Sequence, residues 1–352
     1  MLSAISCTLA GSSVLARLTG TRIWAMGKGS LISIRGLLRN SLTTFPPCAT
    51  PNIAECCRPM RTPEFNAYIA PARLYPQIWR LLLGILLILY IYAGFMALVF
   101  WAGFAYATPF GFLSWANAVI TTQGPVPTLI MLFTFTGMAL GPIIAAPACH
   151  MRGPGTLFGP LDVTLRGFLM ATITVLLIVA VFSMVSLWFQ PAEPNLPLEE
   201  WLRYLPYAIP LILIQTSAEE LIFRGYLQQQ LAVRFRSPFV WMILPAALFA
   251  ALHWDPAMGS NKWLVIGVTF TMALIAADLV QRTGSLGAAI GLHFANNIFA
   301  LLFVSVQDTI TGLALYVTPF DKADTAELPF AMGLDLILLL VIWRILRIAL
   351  DR

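Results

Sequence analysis

The chain has 352 residues, 59% of them hydrophobic and only 11% charged, against about 25% charged in an ordinary soluble domain. So few charges cannot solvate a surface of this size, and 10 Trp, 23 Phe, 24 Gly and 24 Pro fit a polytopic, all-α membrane protein. The net charge of +5 comes from basic residues scattered at segment ends, which excludes nucleic acid as a partner. Cys7, Cys48, Cys56 and Cys57 all precede residue 60, and Cys149 stands alone. Their spacing gives neither a disulfide framework nor a Cys-rich zinc site. Cys149 adjoins His150, but adjacent helical residues do not face each other, so the pair is no nucleophile and base. Cys149 is assigned a packing role.

Residues 1–59 differ from the rest. They carry six basic residues (Arg17, Arg22, Lys28, Arg35, Arg39 and Arg58), one acidic residue (Glu55), and no apolar stretch long enough to span a bilayer. They read either as a transit-like or regulatory basic tail or as sequence upstream of a true start at Met60. We expect the second, because Met60 opens directly into a cytoplasmic leader, Arg61 to Arg80.

A membrane span needs about 20 largely apolar residues. Eight segments qualify as candidates: 78–106, 126–148, 165–189, 205–224, 238–253, 263–281, 285–304 and 328–348. The fifth is short, and 107–123 is expected to form an interfacial turn around Trp115. Pro125, Pro127, Pro142 and Pro147 predict an irregular second span. With the N-terminus inside, the cytoplasmic segments after residue 59 hold twelve arginines, from Arg61 to Arg352. The other side holds only Arg203, Lys262 and Lys322. This positive-inside bias alternates over all eight spans and predicts that both termini are cytoplasmic.

Ionisable side chains inside spans are costly and mark candidate functional sites. The fourth span holds Glu219 and Glu220 in Glu219-Glu220-Leu221-Ile222-Phe223-Arg224. The fifth ends in Phe249-Ala250-Ala251-Leu252-His253, and the seventh contains His293-Phe294-Ala295-Asn296-Asn297. Two of the chain's three histidines are in this set. Asp278 and Arg282, four apart, read as a plain ion pair, while Asp335 has no evident partner.

Glu220 and Arg224 are four apart and able to pair, which leaves Glu219 about 100° round the helix without a local cation. His293 and Asn297 share a face for the same reason. Counting about 1.5 Å per residue, Glu219 lies about 22 Å from Arg234, His253 about 24 Å from Ser237 and His293 about 12 Å from Ser285. A break at Gly225 would narrow this spread. A poorly hydrated carboxylate can take a proton from water and return it to a leaving amine, while imidazole and amide N–H groups stabilise an oxyanion. The alternative is zinc held by Glu219, His253 and His293 with an open fourth position. The zinc-protease helix pattern of two histidines four apart around a glutamate is absent, and no Ser or Cys is paired with a histidine base.

The motifs Glu219-Glu220-x-x-x-Arg224, Phe249-x-x-x-His253 and His293-x-x-x-Asn297 resemble those of the CAAX-protease and bacteriocin-processing (CPBP, or Abi) intramembrane proteases. This is the family of the type II CAAX prenyl endopeptidases. The resemblance covers about 205–304, with no departure at a motif position. It implies a glutamate-dependent endopeptidase with a cavity open to the cytoplasmic side. Glu219 would then activate water with help from His253, His293 and Asn297 would form the oxyanion site, and Glu220 and Arg224 would support them. The family has long been labelled metalloprotease, but the resemblance is read here as needing no cofactor. The implied partners are the lipid bilayer and protein or peptide substrates, prenylated or otherwise membrane-associated, in a bacterial cytoplasmic membrane.

The expected organisation is therefore a basic extension (1–59), N-terminal spans (60–204), a catalytic core (205–304) and an exoplasmic loop with the last span (305–352). A transporter or membrane scaffold is the non-enzymatic alternative, although no internal repeat of the kind many transporters carry is evident.

Overall fold

The computed structural model describes residues 61–106, 109–122, 124–189 and 191–350, and the backbone of five short strands within 7–33. The chain divides into two units, Met1–Pro59 and Met60–Arg352. In the first, β1 (Cys7–Leu9) pairs antiparallel with β2 (Ser12–Val14), and β3 (Ala16–Thr19), β4 (Arg22–Gly27) and β5 (Ser30–Ser33) form an antiparallel meander. The readings of 1–59 as a basic tail or an upstream sequence otherwise lie outside the described residues.

The second unit is all-α apart from one small sheet. Thr62 caps α1 (Pro63–Tyr68), its hydroxyl accepting from the Phe65 N–H at 3.1 Å, which satisfies a helix-end donor. The long helices α2 (Ile78–Tyr106), α4 (Pro125–His150), α5 (Leu161–Phe189) and α6 (Leu198–Glu220) follow, with α3 (Pro109–Ile120) between the first two. The stretch expected as an interfacial turn thus holds a helix. Its Trp115 stacks on Phe112 and meets Phe100 of α2 edge-on, so aromatic packing holds it against the bundle. One helix runs through Pro142 and Pro147 to the end of α4, at His150.

After α6 the chain does not break at Gly225. It continues through a wide π-helical stretch, Leu221–Gln228, into α7 (Gln229–Arg234). Gly225 serves close packing instead, since a Cβ there would lie 3.1 Å from Leu286 and 3.2 Å from the Leu157 carbonyl oxygen. Another π-helical turn, Phe239–Ile243, leads into α8 (Leu244–Ala251). Then come α9 (Lys262–Thr283), α10 (Gly287–Ile298) and α11 (Glu327–Leu350).

Among the described residues, four helical segments are long and apolar enough to cross a membrane: Ile78–Tyr106, Pro125–His150, Leu161–Trp188 and Pro256–Thr283. Leu82, Leu86 and Leu89 on α2, and Leu169, Ile173 and Leu177 on α5, are exposed, as lipid-facing residues of a membrane protein are. The apolar helices Phe239–Ala251 and Gly287–Phe303 are shorter.

Contacts define two ends of the bundle. At the arginine-rich end, Arg80 donates to the Cys149 carbonyl at 2.7 Å and Arg234 to that of Gln77 at 2.9 Å. At the other end, β6 (Glu193–Pro194), β7 (Val304–Gln307) and β8 (Tyr316–Asp321) form a sheet in the order β6-β8-β7. Lys322 pairs there with Asp255 at 2.8 Å.

The most enclosed element is α10, buried continuously from Gly287 to Ala295. It lies against α5 because Gly287 and Gly291, four apart, leave no side chain between the two backbones. A Cβ at either would run into a carbonyl oxygen of α5, that of Thr164 or Phe168. Gly291→Val should therefore lower stability by about 1–3 kcal/mol through overpacking, read as a lower melting temperature in detergent. Gly333→Ala, whose Cβ would meet nothing within 4 Å, should not lower it, since Ala is the better helix former.

Candidate active site

Helical spacing on α6 and α10 assembles the site. Gln215 and Glu219 share one face of α6, and Gln215 Nε2 donates to Glu219 Oε1 at 2.9 Å. The neighbouring face carries Glu220, whose Oε1 accepts from Arg224 Nη1 at 3.0 Å with both side chains almost wholly buried. Arg224 also donates to the Ala273 carbonyl of α9 at 3.2 Å. Its guanidinium lies 4.7 Å from the centre of the Phe249 ring, close enough for a cation–π contact.

His293 on α10 stands between the two glutamates. Its Nδ1 is 3.0 Å from Glu220 Oε1 and its Nε2 is 3.5 Å from Glu219 Oε2. With hydrogen on Nδ1 donating to Glu220, Nε2 is turned toward Glu219. Arg224 and the two glutamates around this imidazole form one cluster in a poorly hydrated interior, where an uncompensated buried charge costs several kcal/mol.

Asn297 completes the network, its Nδ2 donating to Gln215 Oε1 at 2.9 Å. The Gln215 amide thus ties Glu219 of α6 to Asn297 of α10. Asn296 donates to Asn297 Oδ1 at 3.2 Å. Gln215 was missed by sequence reading because an amide carries no ionisable signal, although its position four residues before Glu219 is a detectable helical pairing.

A cavity of about 500 Å³ adjoins this network. Glu219, His253, Asn297 and Gln215 line it, with an otherwise mainly apolar wall that includes Met131, Phe135 and Leu301. Glu219 keeps 13% of its side-chain surface accessible, against 4% for His293. Its Oε2 is itself buried, turned toward His293, and has no hydrogen-bond partner among the described residues. His253 is exposed, and its Nδ1 donates to the Phe249 carbonyl at 3.0 Å, so in the neutral ring Nε2 is an acceptor. The structure therefore brings Glu219, His253 and Asn297 to one cavity wall and seats His293, Glu220 and Arg224 behind Glu219.

Among the described residues, no three or more His, Cys, Asp or Glu side chains are placed to hold a metal ion. Both nitrogens of His293 face glutamates, and Nδ1 of His253 is spent on its own helix. As placed, Glu219, His253 and His293 do not form the three-ligand set of the zinc alternative.

Several of the remaining polar groups have structural partners. Asp278 pairs with Arg282 at 3.5 Å, as expected, and also with Arg347 at 3.6 Å. His150 Nε2 meets the Tyr226 hydroxyl at 2.8 Å, and Cys149 is buried and free. Asp335 sits on an exposed position of α11.

These features define an all-α protein with membrane-length apolar helices around a buried glutamate–histidine cluster. Residues 201–299 match the family model of the type II CAAX prenyl endopeptidases, Rce1-like. The resemblance read from the three motifs is thus matched independently over the segment that carries them. The uncharacterized protein YyaK of Bacillus subtilis (strain 168) is 33% identical over 113 residues, 32% of this chain and 37% of that protein. The match therefore spans little more than a third of the curated relative. No solved structure matches.

Removing one partner of the buried pair strands the other. Glu220→Gln and Arg224→Met should each cost about 3–5 kcal/mol, and the double variant should cost clearly less than their sum. Melting of the four proteins in detergent reads this directly, and additive losses would contradict a coupled pair.

Proposed function

We propose that the chain is an intramembrane endopeptidase in which Glu219 activates water for peptide-bond hydrolysis. The supporting observation is the place of Glu219 at the cavity wall: its side chain lines the cavity and keeps 13% of its surface accessible, with Oε1 held by Gln215 and the buried Oε2 turned toward the His293 imidazole. Glu219 takes a proton as water attacks the carbonyl carbon, and His253 Nε2 accepts a hydrogen bond from the water's second hydrogen, which stays on the oxygen. Asn297 Nδ2 carries two N–H donors and spends one on Gln215, leaving the other for the oxyanion. When the C–N bond breaks, Glu219 returns its proton to the leaving amine. The products are a new carboxyl and a new amino terminus.

His293 takes a different part from the oxyanion role that the resemblance implies. Its place between the two carboxylates suits it to orient Glu219. Glu220 and Arg224 hold His293 from behind.

The arginine distribution supports eight spans with both termini cytoplasmic, in a bacterial cytoplasmic membrane. The substrates of this reading are membrane-associated proteins or peptides, lipidated or not, and no cofactor is required.

Comparing protein termini in membranes expressing wild type and Glu219→Gln at matched levels tests this reading. The proposal predicts new termini that are present only with the wild type. Identical termini would contradict it and favour a transporter or scaffold.

A further inference from the structure

Gln215 is an uncharged amide, 7% exposed, that follows Ile212, Leu213 and Ile214 in α6. A buried amide has to satisfy both a carbonyl oxygen and an NH2 group. Here each finds a partner: Nε2 donates to Glu219 Oε1 and Oε1 accepts from Asn297 Nδ2, both at 2.9 Å. The neighbouring Thr216 hydroxyl, by contrast, is spent on the Ile212 carbonyl of its own helix at 2.9 Å. Gln215 also lines the cavity, so it stands beside the reacting groups.

The direction of these bonds is dictated from one end. An ionised carboxylate only accepts, so Glu219 turns the Gln215 NH2 toward itself and the Gln215 oxygen toward α10. That oxygen also only accepts, which turns the Asn297 NH2 toward α6. Asn297 Oδ1 is left for Asn296, whose Nδ2 donates to it at 3.2 Å. Donors therefore run from Asn296 to Asn297 to Gln215 to Glu219. The oxygen and nitrogen ends of an amide are nearly alike in shape, so packing alone does not choose between them. With Asn297 turned the other way, an oxygen would stand where Nδ2 now does. An oxyanion there would meet a lone pair instead of an N–H.

We propose that Gln215 is a positioning residue for hydrolysis, which carries the polarity set by the Glu219 charge to Asn297 and so keeps an N–H donor at the oxyanion's place. Resting on the endopeptidase reading, this makes the base on α6 and the oxyanion donor on α10 one hydrogen-bonded unit. The carboxylate that takes the water's proton also fixes the amide that meets the resulting negative charge.

A kinetic cycle between Gln215 and Asn297 tests this, on a polypeptide whose new terminus appears only with the wild type. Gln215→Met keeps an unbranched side chain of similar length and removes both hydrogen bonds. Losing an oxyanion donor costs about 100–1,000-fold in kcat, so Asn297→Ala should fall by that order and Gln215→Met by about 10–100-fold, each with KM within about threefold. The double variant should lose far less than the product of the two, because without Asn297 there is no amide left to orient. Melting in detergent should stay within a few degrees of wild type, and Gln215→Leu replaces Gln215→Met in the cycle if it does not. Losses that multiply, a raised KM with kcat unchanged, or a Gln215→Met enzyme as fast as wild type would overturn the proposal. Termini identical between wild type and Glu219→Gln would count against the endopeptidase reading itself, whereas a cleaving protein that fails the cycle counts against the role of Gln215 alone.

Discussion

The structure around the site depends on one buried ion pair. Glu220 and Arg224 lie one helical turn apart, almost wholly out of solvent, at 3.0 Å. Such a pair adds little net stability by itself, but losing either member leaves an uncompensated charge. The same carboxylate oxygen also holds His293, which fixes the ring that faces Glu219. The π-helical stretch beginning at Leu221 belongs to this constraint, because wide turns of that kind re-aim side chains and recur at functional sites. Orientation passes from Arg224 through Glu220 and His293 to the one carboxylate that meets the cavity.

The close approach of α10 to α5 is the second requirement. His293 reaches both glutamates only because α10 is sunk into the bundle, and Gly287 and Gly291 make room for it against the carbonyl oxygens of α5. Gln215 then joins α6 to α10 through its amide. Two helices with different neighbours are locked together at the point where the chemistry would occur.

Much of this was legible in the sequence because a membrane interior makes polar residues conspicuous. Glu219, His253, His293 and Asn297 stand out among apolar neighbours, and spacing by fours correctly paired Glu220 with Arg224 and Asp278 with Arg282. Spacing could not show that His293 lies behind Glu219, because that depends on how deeply α10 sits, and glycine packing decides it. Nor could it show that the helix passes Gly225 unbroken, since a glycine that breaks a helix and one that lets another backbone approach look alike in sequence. Trp115 read as a turn because the short apolar run around it could lie at an interface. Contact with Phe100 and Phe112 makes it part of a packed helix.

The central claim is that the position of one carboxylate, not merely its charge, is what this architecture sets. Glu219→Asp tests that most directly, because it keeps the negative charge and withdraws it by one methylene from Gln215 and the cavity. Its rate of hydrolysis is measured in single-turnover assays on a polypeptide cleaved only by the wild type. A displacement of about 1 Å at a reacting group can cost about 100-fold. The account predicts a loss of that order with melting in detergent within a few degrees of wild type. An aspartate variant that cleaves at the wild-type rate would contradict it.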